Sequence, residues 1–338
     1  MQNQNNKELL TLFIKSILMG TANKLPGISG GLVALITGFY HEMITSFKNI
    51  NFKILKIAIK GDIKKLIRDY NVLFLITVLS GIVVSYFTTS KILDFFFKLS
   101  ELNVWSFFYG MIVASLLILI KQNKLNNKKE IFFLIIGLLI GIILSFSEPI
   151  KENQNIFFVF ICGMISICGM IIPGISGSFL LILLGNYKLL LVDSVNELIK
   201  LFNLTFGIDN STDVDFSLIK ILIVFSLGSL VGLITLSNLL SYLINKHKNI
   251  TNQLIIGFVS GSLLIIWPWK KVITVNVEDF NKINNLENPS NYLRYFPDIS
   301  QTSDIIALGL ILLGFAIVLY IENYGIRKKN IWSGRKEH

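Results

Sequence analysis

A chain of 338 residues that is 53% hydrophobic and only 15% charged lies well below the roughly 25% charge of water-soluble domains. Its net charge of +10 reads as a topology signal in so apolar a chain, not as a nucleic-acid footprint. Composition therefore excludes a soluble domain and a nucleic-acid-binding module, and leaves an all-α polytopic membrane protein.

Apolar segments fall at 9–19, 32–47, 72–87, 104–120, 131–144, 156–172, 179–192, 219–243, 254–268 and 305–321. A spanning helix takes roughly 17–25 mostly apolar residues, so several qualify and a few are short. The first run has no small-residue cleavage site and is read as mature protein, not as a secretory leader. It leads into Asn23-Lys24-Leu25 and then Pro26-Gly27-Ile28-Ser29-Gly30-Gly31, before an apolar stretch that closes in Gly38-Phe39-Tyr40. His41 and Glu42 follow.

Segment 48–68 carries Lys48, Lys53, Lys56, Lys60, Lys64, Lys65 and Arg68 against Asp62, a net +6. Phe52, Leu55, Ile59, Ile63, Leu66 and Ile67 recur among the lysines at the spacing of a basic amphipathic helix lying on the inner leaflet. Predicted spans at 72–87, 104–120 and 131–144 follow, with a neutral segment at 88–103 and a basic connection at 121–130.

The second half repeats the first. Pro26 to Gly30 returns as Pro173-Gly174-Ile175-Ser176-Gly177, followed by Ser178 and closing in Gly185-Asn186-Tyr187, at an offset of 147 residues. Seven of the fifteen positions from Pro26 to Tyr40 are identical. The same offset lays Gly81 on Gly228, Leu93 on Leu240, Gly110 on Gly257, and Ser115 to Ile118 on Ser262 to Ile265. A duplication of this length in an apolar chain, with Gly/Pro-interrupted segments at matching places, points to a transporter built from two related halves. The halves divide at 1–147 and 148–338.

Charge sets their relative orientation. Segment 195–215, equivalent to the basic 48–68, carries Lys200 against Glu197, Asp209, Asp213 and Asp215, a net −3. Positive loops stay on the cytoplasmic side, so the two equivalent loops are expected on opposite sides and the repeats are expected to have inverted topology. Segments 121–130, 246–248 and 327–336 read as inside, and 269–304 as outside. Each half becomes a re-entrant helical hairpin (9–47 and 156–192) plus about three spanning helices (72–87, 104–120, 131–144; and 219–243, 254–268, 305–321), with both termini cytoplasmic. Two full spans in each hairpin segment give the same sidedness, and the sequence leaves both arrangements open.

Proline interrupts a helix and glycine tolerates the backbone that follows. Non-helical backbone at membrane depth requires burial in protein or a wet cavity. Helix N-termini after the breaks present unpaired N–H donors, which suit phosphate or carboxylate. The candidate anion-binding set is Asn23, Lys24, Pro26, Gly27, Ser29, Gly30 and Gly31 from the first motif, with Pro173, Gly174, Ser176, Gly177 and Ser178 from the second. Tyr40, Tyr187, His41 and Glu42 are candidates for the transport path or ion coupling, against a plainer role as interfacial residues. Gly38, Gly185, Gly110 and Gly257 are read as packing glycines. Cys162 and Cys168 are read as small packing residues, and three scattered histidines make no metal site, so no metal or cofactor is expected.

Met19-Gly20-Thr21-Ala22-Asn23, the two Pro-Gly-Ile-Ser-Gly motifs and Gly38-Phe39-Tyr40 resemble the bacterial polyprenyl-phosphate transporter family over most of the chain. The resemblance implies a protein of the bacterial cytoplasmic membrane that returns undecaprenyl phosphate from the outer to the inner leaflet, for reuse in cell-wall and surface-glycan synthesis. Its partners would be the polyprenyl phosphate lipid and membrane lipids. Two departures stand out: His41 follows the first-motif Tyr where the family often has a charged residue, and the 269–304 insert is long. The rival reading is a channel or transporter for a small phosphate or carboxylate. No cluster of His, Asp or Arg supplies a nucleophile or general base, which argues against an enzyme.

Overall fold

The structure is a computed structural model, and it describes residues 6–48, 71–146, 152–171, 176–208, 213–272 and 292–334. The described chain is helical apart from one small ribbon. Helix α1 (Asn6–Lys24) ends at the first motif, and the short α2 (Gly30–Thr37) and α3 (Tyr40–Lys48) follow. Helices α4 (Val72–Leu99), α5 (Glu101–Gln122) and α6 (Lys128–Phe146) complete the first half. The second half begins with α7 (Ile156–Ile171) and α8 (Gly177–Leu183). A π-helical turn, Leu189–Asp193, then runs directly into α9 (Ser194–Thr205). After α10 (Phe216–Ser262) come strands β1 (Lys270–Val272) and β2 (Tyr292–Arg294), an antiparallel pair, and finally α11 (Thr302–Gly334).

Among the described residues, three helical stretches are long and apolar enough to cross a membrane: Val72–Leu99, Glu101–Gln122 and Thr302–Gly325. Their outward faces expose large apolar side chains such as Leu79, Phe95 and Leu312, as a lipid-facing surface requires.

Several boundaries differ from the sequence expectation. The neutral 88–103 segment is mostly helix, because nothing between Thr88 and Leu99 breaks the run; the turn comes at Ser100 alone. Ser100 is extended, and its Oγ accepts the amide of Asn103 at 3.3 Å, capping α5. The expected span 219–243 and the first part of 254–268 lie in one helical run that ends at Ser262 and is interrupted at His247 (φ −133°, ψ 39°), since no proline or glycine stops hydrogen bonding near the basic Lys246-His247-Lys248. The 269–304 insert contributes the ribbon, with Lys270 opposite Arg294. The amphipathic segment expected at 48–68 lies almost wholly outside the described residues.

Close glycine contacts set the helix packing. A Cβ on Gly81 of α4 would meet Ser16 Cβ at 2.6 Å and Phe13 O at 2.8 Å of α1. Gly228 of α10 meets Phe160 O of α7 in the same way, at the equivalent positions of the second half. Gly110 of α5 packs on Ile311 O of α11, and its equivalent Gly257 of α10 packs on Leu134 O of α6. α6 therefore lies against α10, and α11 against α5. Gly110 and Gly257 are packing glycines, as expected, whereas Gly38 and Gly185 serve the backbone instead. They have φ of +91° and +73°, and the Gly38 amide closes α2 on Ala34 O at 3.0 Å, with no atom within contact distance of its would-be Cβ.

Among the described residues, the basic connection 121–130 lies at the same end of the bundle as the residues just after Lys246-His247-Lys248 and the start of the C-terminal tail. Asn252 and Gln253 hydrogen-bond Asn123, Asn249 bonds Glu130, and Gln122 reaches Glu322 near the C-terminal tail. At the other end, Ser145 bonds Gly261 O, Arg294 reaches Ser145 O at 2.5 Å, and Lys188 pairs with Glu101 at 3.4 Å. Asn186 clamps Asn153 there through both backbone groups.

Candidate functional site

The first motif begins where α1 stops. Leu25 still donates to Thr21 O, but Pro26 carries no amide and Gly27 adopts φ +85°. A side chain there would be strained, and its Cβ would sit 2.7 Å from Met111 O. Met111 lies at the middle of α5, so the tip of the α1–α2 turn reaches the centre of the bundle. Ser29 is the N-cap residue of α2, extended at φ −92°, with its hydroxyl making no cap bond. Asn23 supplies that bond instead: its Oδ1 accepts the Gly30 amide at 3.2 Å. The next two amides, of Gly31 and Leu32, make no hydrogen bond among the described residues, as expected of a first helical turn.

Among the described residues, the second motif meets the first at Ser176 Oγ. Ser176 Oγ accepts the amide of Gly27 at 3.2 Å, the amide of Phe179 at 3.2 Å and the hydroxyl of Ser178 at 3.0 Å. Two donors come from the second motif and one from the first. Ser176 and Ser178 are buried. Gly177 packs its Cα against Ser166 O. Pro173 and Gly174 lie outside the described residues. Beside this junction sits a cavity of about 10 Å³, lined by Gly27 and Ser176 with Ile112, Ser115, Leu116, Leu119, Phe179 and Val259. That is room for about one water, so the two motifs are closed on each other here.

Lys24 is fully buried. Its ammonium donates to Tyr86 O at 2.6 Å, to Leu191 O at 2.7 Å and to Ser90 Oγ. Ser90 Oγ also donates to Leu191 O at 2.7 Å. The Lys24 backbone carbonyl accepts the Tyr187 hydroxyl at 3.0 Å. Tyr187 is buried against Phe108 and Trp105, and so is a core residue instead of an interface anchor. Tyr40 lies at the start of α3, half-buried near Gly31. Glu42 is exposed and accepts from Asn71 Nδ2 at 2.9 Å, away from the motif junction. His41 sits beside it in α3, its side chain outside the described set. Cys162 is buried in the core.

The structure thus brings together Gly27, Ser176 and Ser178, with Asn23, Ser29, Gly30 and Gly31 beside them, and sets Lys24 just behind. Sequence reading missed Tyr86, Ser90 and Leu191 as partners of Lys24. Two of them act through backbone carbonyls, which no residue pattern reveals, and Ser90, matched by Ser237 at the repeat offset, lies outside the paired motifs.

A helical membrane protein with two interrupted segments meeting at a polar centre is the class that fold and site define. The undecaprenyl phosphate translocase-like family, of VCA0040-like type, matches residues 19–283, and the chain belongs to it. A polyprenyl-phosphate transporter of Vibrio cholerae serotype O1 is 32% identical over 317 residues, covering 93% of this chain and 96% of the relative. A polyprenyl-phosphate transporter of Staphylococcus aureus is 27% identical over 268 residues, 75% of this chain and 85% of the relative. No solved structure matches the chain.

Proposed function

We propose that this protein is a transporter of polyprenyl phosphate, a flippase that returns undecaprenyl phosphate from the outer to the inner leaflet for reuse in cell-wall and surface-glycan synthesis. The observation that carries the site is the convergence of three donors on Ser176 Oγ. A hydroxyl oxygen has two lone pairs, whereas a phosphate oxygen carries the negative charge for which such a donor set is suited. With the two motifs drawn apart, the Gly27 amide, the Ser178 hydroxyl and the α2 first turn form a phosphate cradle. The apolar wall of Ile112, Leu116, Leu119 and Val259 suits the first prenyl units.

Two inverted repeats, 1–147 and 148–338, each a re-entrant hairpin with about three spans, supply the alternating access. Support comes from the matched contacts Gly81–Phe13 and Gly228–Phe160 and the reciprocal pair Gly110–Ile311 and Gly257–Leu134. The gathering of basic segments at one end supports cytoplasmic termini in a bacterial cytoplasmic membrane. The reading is of a non-enzyme, in keeping with the transporter names of the two relatives.

The test is leaflet transfer of undecaprenyl phosphate in proteoliposomes, wild type against a Ser29→Pro/Ser176→Pro double variant whose folding is checked by monodispersity and Tm. Transfer by wild type that is lost in a folded variant is the expected result. Wild type that ignores the lipid and moves inorganic phosphate instead would make the small-anion transporter the right reading.

A further inference from the structure

Lys24 stands where the first hairpin is tied to the π-helical turn of the second, and its charge meets no counter-charge among the described residues. Among the described residues no carboxylate pairs with it; its ammonium is solvated by Tyr86 O, Leu191 O and Ser90 Oγ. Dipoles of this kind satisfy the N–H donors without neutralising the charge, and in a low-dielectric interior that leaves the group strongly attracted to any full anion within reach. Two of the three acceptors lie on α4 of the first half. The third, Leu191 O, lies in the π-helical turn of the second half, a local widening of the kind often found at functional positions. The same residue is gripped a second time, by the Tyr187 hydroxyl on its backbone carbonyl. Only Leu25 and Pro26 separate Lys24 from Gly27, whose amide joins the second motif at Ser176.

We propose that Lys24 is an anion-sensing latch: when the substrate phosphate enters between Gly27 and Ser176, the ammonium leaves its carbonyl cage for the phosphate. This releases the Leu191 bond that ties the first hairpin to the second. The inference rests on the phosphate reading of the paired motifs and adds how occupancy is signalled. The cage holds the closed form when the site is empty, and the phosphate supplies the negative charge the cage lacks. A neutral polyprenyl lipid has no such pull and leaves the latch in place. Lys24 then sets specificity as well, by making opening depend on a charged headgroup and not on the prenyl chain.

The experiment is hydrogen–deuterium exchange over residues 186–196 in the full chain in detergent, with undecaprenyl phosphate or undecaprenol, alongside a binding isotherm for each lipid. In wild type, undecaprenyl phosphate is expected to speed exchange at these amides severalfold and undecaprenol to leave it unchanged. Lys24→Met is expected to show the faster exchange without lipid, no further response, and about tenfold weaker phosphate-lipid binding. Ser90→Ala keeps the charge and loosens the cage, so its response is expected at lower lipid concentration; it serves as the second variant if Lys24→Met does not fold. Bound phosphate lipid with unchanged exchange, or an equal response to undecaprenol, overturns the latch and leaves the transport reading intact. No binding of the phosphate lipid by wild type overturns the transport reading itself, and the latch with it.

Discussion

The amide of Gly27 donates to Oγ of Ser176 across 3.2 Å, so two copies of one motif, 147 residues apart in the chain, are joined by a direct hydrogen bond. The bond is asymmetric in its consequences. Ser176 Oγ also caps α8 through the Phe179 amide, whereas Ser29 at the equivalent position caps nothing.

Ser176→Ala is therefore expected to lower stability by about 1–2 kcal/mol, through loss of a helix cap and an orphaned Gly27 amide. Ser29→Ala is expected to stay within about 0.5 kcal/mol of wild type. Thermal melts of the two purified variants make the comparison. Equal destabilisation would show that the two hydroxyls carry equivalent loads.

Gly27 and Gly38 both hold a positive φ, +85° and +91°, but only Gly27 faces crowding, from Met111 O. Alanine at 38 is expected to cost about 1–2 kcal/mol for the left-handed backbone alone. Alanine at 27 pays the same and must also push α5 away, so a larger loss of Tm is expected, with loss of lipid transfer.

The reciprocal packing of α5 on α11 and α6 on α10 has no room at its glycines. Gly110→Leu and Gly257→Leu are expected to be among the most destabilising single changes, since each drives a side chain into a neighbouring backbone carbonyl. Gly309→Leu in α11 meets nothing within 4 Å and is expected to be tolerated. Yield of monodisperse protein ranks the three.

Lys270 titrates low, at about 8 against an ordinary 10.5, because burial disfavours its charge and Arg294 across the ribbon repels it. Between those two values the unfolded chain holds a proton that the folded chain has released, so this lysine's contribution to stability rises with pH across the window. The Tm of wild type minus that of Lys270→Met is expected to increase from pH 8 to pH 10.5. A flat difference would show that Lys270 keeps an ordinary affinity for its proton.

Sidedness is tested by single cysteines at positions 57 and 204 in a background free of Cys162 and Cys168. In intact cells a membrane-impermeant thiol reagent is expected to label 204 and to spare 57. Labelling of both from the outside would remove the inverted arrangement.

Much of this protein is legible in its residues. The low charge and long apolar runs make a helical membrane chain, because backbone polar groups in hydrocarbon must be satisfied within the segment. The doubled Pro-Gly-Ile-Ser-Gly identifies the two places where helices stop, since proline withholds an amide whatever surrounds it. Gly110 and Gly257 announce close helix approach by their spacing in the repeat. What the tertiary structure alone decided is where the freed groups go. Asn23, not Ser29, caps α2; Ser176 gathers three donors; Tyr187 is buried against Phe108; and Lys24 turns to the carbonyls of Tyr86 and Leu191. These partners are backbone atoms or side chains far away in sequence, and pairing at such separations is set by how the helices pack, which composition and periodicity do not encode.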